Sequence, residues 1–143
     1  MSALLLALAL ATAALQSGGV ETIAKDRMSS VDEAGFAVAF NQAEWGALWR
    51  KHAGSHVPDK PLPKIDLTTR TVVAIFLGSR PTAGYDIEIL GTEREGATVT
   101  VQWAEVRPKE RLLLAQVLTS PALIASIPKG EGVVNIGFRK VTR

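Results

Sequence analysis

A chain of 143 residues is the size of one domain. Its 16 Lys and Arg against 14 Asp and Glu leave a net charge of +2, too balanced for a nucleic-acid footprint even at a pI near 9.2. The absence of cysteine excludes a disulfide framework, a thiolate nucleophile and Cys-based zinc sites, and 47% hydrophobic residues exclude a disordered chain.

Ala3 to Leu15 reads ALLLALALATAAL, 13 residues with Thr12 as the one polar member. A spanning helix needs roughly 20 residues. Residues 1–13 therefore predict a signal peptide, or a short N-terminal anchor if the segment stays uncleaved. Ala11-Thr12-Ala13 supplies the small-residue cleavage pattern, although Met1 and Ser2 add no Lys or Arg to the start. With no Cys beyond it, lipid attachment at this segment is excluded.

Residues 14–34 read as an N-terminal extension or edge strand, with Val20 to Met28 the strand candidate and Ser29, Ser30 and Asp32 as turn residues. Residues 35–143 form the domain proper. Phe36, Val38 and Phe40 alternate on one strand face, and Asn41 then caps a helix near residues 42–53. Asn41 and Glu44 have capping-box spacing, and Trp45, Leu48 and Trp49 form one apolar stripe. Pro58, Pro61 and Pro63 mark a loop, and Ile65 and Leu67 begin an extended segment.

Thr71 to Leu77 (TVVAIFL) is continuously apolar and β-branched, the pattern of a central strand buried on both faces. Gly78 to Gly84 is a loop. Tyr85, Ile87 and Ile89 alternate with Asp86 and Glu88, which turns that carboxylate face to solvent. Gly91 to Gly96 reads as a hairpin loop. Val99, Val101 and Trp103 share the inward face of the next strand, and the phase break before Val106 predicts a bulge or strand end. Arg107 to Arg111 is a charged loop. Leu112 to Leu118, Leu123 to Ile127 and Val133 to Val141 read as strands. The sum is an α+β domain, mainly an antiparallel β sheet of sandwich- or barrel-like form with one helix.

The chemistry-bearing residues are few. His52 and His56 have metal-ligand spacing with Asp59 beyond them, but Gly54 ends the helix between them and no zincin Glu stands beside His52. A helix-end pair without metal is the expectation, and no nucleotide-loop or nucleophile-elbow motif is present. The informative feature is Gly78-Ser79-Arg80-Pro81-Thr82-Ala83-Gly84-Tyr85. Pro81 fixes a φ, Gly78 and Gly84 permit positive φ at either end, and Thr82 can bond its own backbone. Such a stiff loop with Arg80 and Tyr85 on its shoulders is a low-entropy binding element. Arg80 is expected to be exposed, and alternation turns Tyr85 inward.

Glu44-Trp45 with Leu48-Trp49, then VVAIFLGSRPTAGY from Val72 to Tyr85, then Leu118 to Pro121 (LTSP) and Ile127 to Lys129 (IPK) resemble the PrcB C-terminal domain family over residues 35 to 140. The resemblance implies an exported bacterial domain not known for catalysis, whose namesake is a lipoprotein that binds and stabilises a surface protease. Pro81 to Tyr85 is also similar to one loop of chagasin-type cysteine-protease inhibitors, although Arg107-Pro108-Lys109 and Gly130-Glu131-Gly132 are only fragments of their other loops. The expected function is that of a non-enzymatic, periplasmic or extracellular domain, without cofactor or metal. It engages a protein partner of the protease type through Gly78, Arg80, Pro81, Thr82, Gly84 and Tyr85, with no nucleic acid and with a membrane only if the leader is uncleaved. An envelope domain binding a small ligand or glycan is the alternative and requires a concave pocket. A hydrolase requires a His or carboxylate in a cleft.

Overall fold

The computed structural model describes residues 15, 18–54, 60–109 and 116–142. The leader over 1–13, His56, Asp59 and most of the Leu112–Leu118 strand expectation lie outside them. Among the described residues are seven strands and one helix: β1 (Glu21–Asp26), β2 (Gly35–Ala39), α1 (Gln42–Ala53), β3 (Arg70–Phe76), β4 (Asp86–Glu95), β5 (Thr98–Val106), β6 (Ala122–Pro128) and β7 (Asn135–Lys140).

Two sheets form, in the orders β1-β6-β3-β2 and β4-β5-β7. All pairings are antiparallel except β5 with β7. The first sheet is the middle layer. One face, with Val72, Ala74, Phe76 and Ile124, packs on the Trp45, Leu48 and Trp49 stripe of α1. The other, with Val73, Ile75, Leu123, Ala125 and Ile127, meets the second sheet through Val99, Val101, Trp103 and Ile87. This is why Thr71 to Leu77 carries no polar alternation: every residue from Thr71 to Leu77 is buried. The architecture is α+β, a sandwich with a helix on one outer face.

The helix begins as its sequence dictates. Asn41 Oδ1 accepts from the Glu44 amide at 2.9 Å, and Glu44 accepts from the Phe40 amide at 3.1 Å. The cap closes orphan donors of the first turn. The open sides of the sandwich are closed by contacts between edge strands: Phe36 of β2 stacks on Phe138 of β7 at 4.4 Å, and Lys25 of β1 pairs with Asp86 of β4 at 3.1 Å.

Four expectations are corrected. Gly91 to Gly96 is not a loop, because β4 continues to Glu95 and the hairpin turns at Gly96 and Ala97. The irregularity lies within β4, between Ile89 and Gly91, where one extra residue bulges and lets the strand carry on. Of the two alternatives for the break before Val106, the bulge is not found and the strand end is, because β5 stops at Val106. Gln116 to Leu118, the described end of the predicted Leu112–Leu118 strand, have no regular structure. Leu67 sits in a turn that Asp66 caps through the Thr68 amide at 3.0 Å, and Leu67 and Ile65 pack against the helix-side core.

Trp45 is 0% exposed and donates its indole N–H to the Pro63 carbonyl. Trp45→Ala should lower the unfolding free energy by roughly 3–5 kcal/mol, as cavity formation in a core does. Asn41→Ala should cost only about 1 kcal/mol. Urea denaturation of both variants checks the ratio.

Candidate functional site

β3 and β6 run antiparallel, so the exit of β3 and the entry to β6 lie at the same end of the sandwich. The ladder closes at Phe76 opposite Ala122 and continues irregularly, with the Leu77 amide donating to the Pro121 carbonyl at 3.0 Å. Gly78 follows at φ +78°, and a Cβ there would stand 2.8 Å from the Ala34 amide nitrogen. Only glycine fits both the dihedral and the approach. The Ser79 amide then donates to the Asp32 carbonyl at 3.1 Å.

Arg80 and Thr119 exchange two backbone hydrogen bonds, at 2.7 and 2.9 Å, an isolated antiparallel bridge. The Thr119 hydroxyl donates to the Thr82 carbonyl at 3.0 Å. Thr82 Oγ1 donates to the adjacent Ala83 carbonyl, and Gly84 adopts φ +96°. The loop is therefore clamped on one flank by the Asp32–Ala34 connection and on the other by Thr119–Pro121. Ser79, Pro81 and Gly84 are its exposed residues, while Thr82 and Tyr85 are half-buried. Tyr85 packs against the Ile87 and Trp103 cluster, the inward placement that alternation predicts.

Arg80 does not stand free as expected. Its Nη1 donates to the Leu77 carbonyl at 2.9 Å and to the Ser79 carbonyl at 3.0 Å, and its Nη2 donates to Glu105. The guanidinium also lies 5.7 Å from the Tyr85 ring centroid. The reason is Glu105, whose side chain is only 4% exposed. A carboxylate so buried must be paired. Burial pushes the Glu105 carboxyl up, but hydrogen bonds and charge from Arg80, a hydrogen bond from Arg107 and the charge of Lys140 outweigh it and hold it below its ordinary value. Arg80 thus staples the loop of the first sheet's end to β5 of the second.

Residues 71–128 match the family model described as PrcB C-terminal. The match covers less than half of the chain and marks a likeness to that family over this stretch. It is narrower than the 35–140 span of the sequence resemblance and leaves out α1, but it contains the loop, Glu105 and Thr119. No curated protein and no solved structure gives a significant match, so the chagasin likeness has no support.

Within the matched stretch, the two motifs read separately in the sequence, Gly78–Tyr85 and Leu118–Pro121, are in fact partners across the Arg80–Thr119 bridge. Glu105 went unread. It keeps the inward phase of Val99, Val101 and Trp103, so the apparent phase break was the signal: a carboxylate at an inward position announces a buried cation partner. Also unread was an apolar rim. Leu118 is 68% exposed, Met28 50%, Val117 48% and Val106 38%, all at this end. Met28 is placed there by its bridge to Ser120.

His52 lies elsewhere, buried beneath the same end. Its Nε2 is 2.7 Å from Asp26 and its Nδ1 is 2.8 Å from the Ser29 hydroxyl. The Val31 amide donates to Ser29 Oγ at 3.1 Å, and the ionised Asp26 carboxylate can only accept, so Nε2 donates to it. Lys60 donates to both Asp26 oxygens at 2.8 and 2.9 Å. Burial raises the Asp26 carboxyl, but the bonds from Lys60 and His52 outweigh it and hold the carboxyl low. Ser29 is 3% exposed and its oxygen is occupied, so this Ser-His-Asp series clips β1, α1 and the Arg27–Ala34 connection together. Among the described residues no cluster of three His, Asp or Glu side chains could hold a metal ion.

Arg80→Ala should leave the buried Glu105 carboxylate with only the Arg107 bond at its other oxygen and destabilise by about 2 kcal/mol at neutral pH. The loss fades with acid. In the native protein the Glu105 carboxyl is depressed, so its contribution exists above the unfolded carboxylate value and is lost as pH falls through the folded one. Without Arg80 the largest counterweight to burial is gone, and protonation costs the fold less. The stability gap between native and Arg80→Ala protein should therefore shrink as pH falls from 7 to about 4, and Glu105→Gln in the Arg80→Ala background should recover much of the loss at pH 7. Denaturant melts across that range measure both.

Proposed function

We propose that the protein is an exported, non-enzymatic interaction domain that docks onto a protease or protease complex through the Gly78–Tyr85 loop and binds, stabilises or modulates it. The observation that carries the reading is the clamping of this loop. A loop fixed on both flanks and stapled by Arg80 loses little conformational freedom on binding. Pro81 stands exposed on it, beside Leu118, whose neighbour Thr119 bridges Arg80. An exposed apolar group next to a rigid turn is the composition of an interface centre. The match of residues 71–128 to the PrcB C-terminal family supports a protease-complex setting. Within this reading Arg80 and Gly78 shape the loop, and Pro81, Thr82 and Leu118 meet the partner.

Among the described residues no helix is long and apolar enough to cross a membrane. The reading assigns residues 1–13 to a cleaved leader, and N-terminal sequencing of the exported protein should return Ala14 or Leu15. Intact Met1 would instead establish an anchor.

Crosslinking capture from the native envelope fraction tests the docking. Pro81→Ala and Leu118→Ser should unfold within about 0.5 kcal/mol of the native protein, as surface changes do. Each should reduce recovery of a protease or its complex at least about tenfold. Recovery equal to the native protein's with both variants would reduce the loop to scaffold.

A further inference from the structure

The two edges of the second sheet are unequal at the loop end. The parallel ladder of β5 with β7 stops at Trp103 opposite Lys140, with a last bond from the Val141 amide to the Trp103 carbonyl at 2.8 Å. β5 runs on through Glu105 to Val106, still paired with β4 on its other side. Backbone groups of a strand alternate sides, so the amide and carbonyl of Glu105 point the same way as those of Trp103, toward the side that β7 has left. A cleft of about 650 Å3 opens there, lined by Glu105, Val106, Arg107, Lys140, Val141 and Thr142.

The charge of this notch is lopsided. The Glu105 carboxylate is already spoken for by Arg80, and Arg107 donates to its second oxygen at 3.1 Å. Lys140 lies 5.4 Å from the Trp103 ring centroid, against the same mouth. Three cations thus surround one carboxylate. Arg80 is turned inward, whereas the Arg107 side chain is 75% exposed and Lys140 is exposed. A strand edge left open among the described residues, with an excess of cations and an exposed Val106, fits an extended chain carrying carboxylates.

We propose that this notch seats an extended, acidic segment of the partner polypeptide, its backbone pairing with the open side of Glu105 and a carboxylate resting between Arg107 and Lys140. The proposal rests on the docking reading above and names the chemistry of what docks. The loop and Leu118 supply shape and apolar contact, and the notch selects for sign of charge.

The probes are two blocked pentapeptides, Val-Glu-Val-Glu-Val and Val-Gln-Val-Gln-Val, titrated into isotope-labelled protein by NMR. The Glu peptide should shift the Trp103 indole resonance and the Glu105 and Val141 amides, and should bind at least about tenfold tighter than the Gln peptide. Arg107→Gln with Lys140→Gln should abolish that preference, while Lys64→Gln, at a distant loop, should keep it. Equal binding of the two peptides, shifts elsewhere, or no shift at about 1 mM peptide would overturn the proposal. Envelope capture separates its failure from that of the docking reading. If Leu118→Ser loses the partner while Arg107→Gln/Lys140→Gln keeps it, docking stands and the notch falls. If neither variant matters, both fall.

Discussion

The pairing of β3 with β6 is the constraint on which everything else in this domain depends. Both strands are buried on both faces, one against α1 and the other against β4, β5 and β7. Residues enclosed in this way are committed to packing and offer nothing to a partner. Function is displaced to the connections, and antiparallel pairing decides which connections meet. Because Phe76 ends opposite Ala122, the segment leaving β3 and the segment entering β6 emerge side by side. The Arg80–Thr119 bridge is the continuation of that ladder by other means.

A loop at the end of one sheet is still free to pivot unless something reaches across to the other sheet. Arg80 and Glu105 provide that reach. The arrangement is costly in isolation, since a buried ion pair gains little over apolar packing of equal volume. Its value lies in direction: a guanidinium holding two carbonyls of its own loop and one carboxylate of β5 leaves the loop a single orientation. The need to keep Glu105 ionised also draws in Arg107 and Lys140 and so sets the local charge.

Elements with one dominant signal were legible in the sequence. The capping box and tryptophan stripe gave α1, continuous apolarity gave β3, and alternation gave β5 and the inward Tyr85. Two of the failures were inferences from a break in pattern. Gly91 suggested a turn but marks a bulge, because a ten-residue strand bends without ending. The break before Val106 suggested a bulge or a strand end; β5 does end at Val106, but the break itself was Glu105 in regular phase, with a partner 25 residues away in sequence. Periodicity reports which way a side chain points and is silent on what it meets. The same blindness made Arg80 read as a free surface group.

The extent of the family match bears on how the site is assembled. Residues 71–128 contain the β3–β6 pair, the β4–β5 hairpin between them and the loop, yet one clamp of the loop lies outside. Ser79 bonds to Asp32, and Gly78 is pressed against Ala34. That Arg27–Ala34 connection is itself pinned by Ser29 on Ser120 and His52, and through His52 to Asp26 of β1. The chain of contacts runs from the edge strand, through a buried histidine on α1, to the backbone of the Gly78–Tyr85 loop. β1 and α1 therefore do more than cover one face of the middle sheet. They set the position of the segment against which Gly78 turns, so the loop's geometry depends on the part of the domain that the family match leaves out.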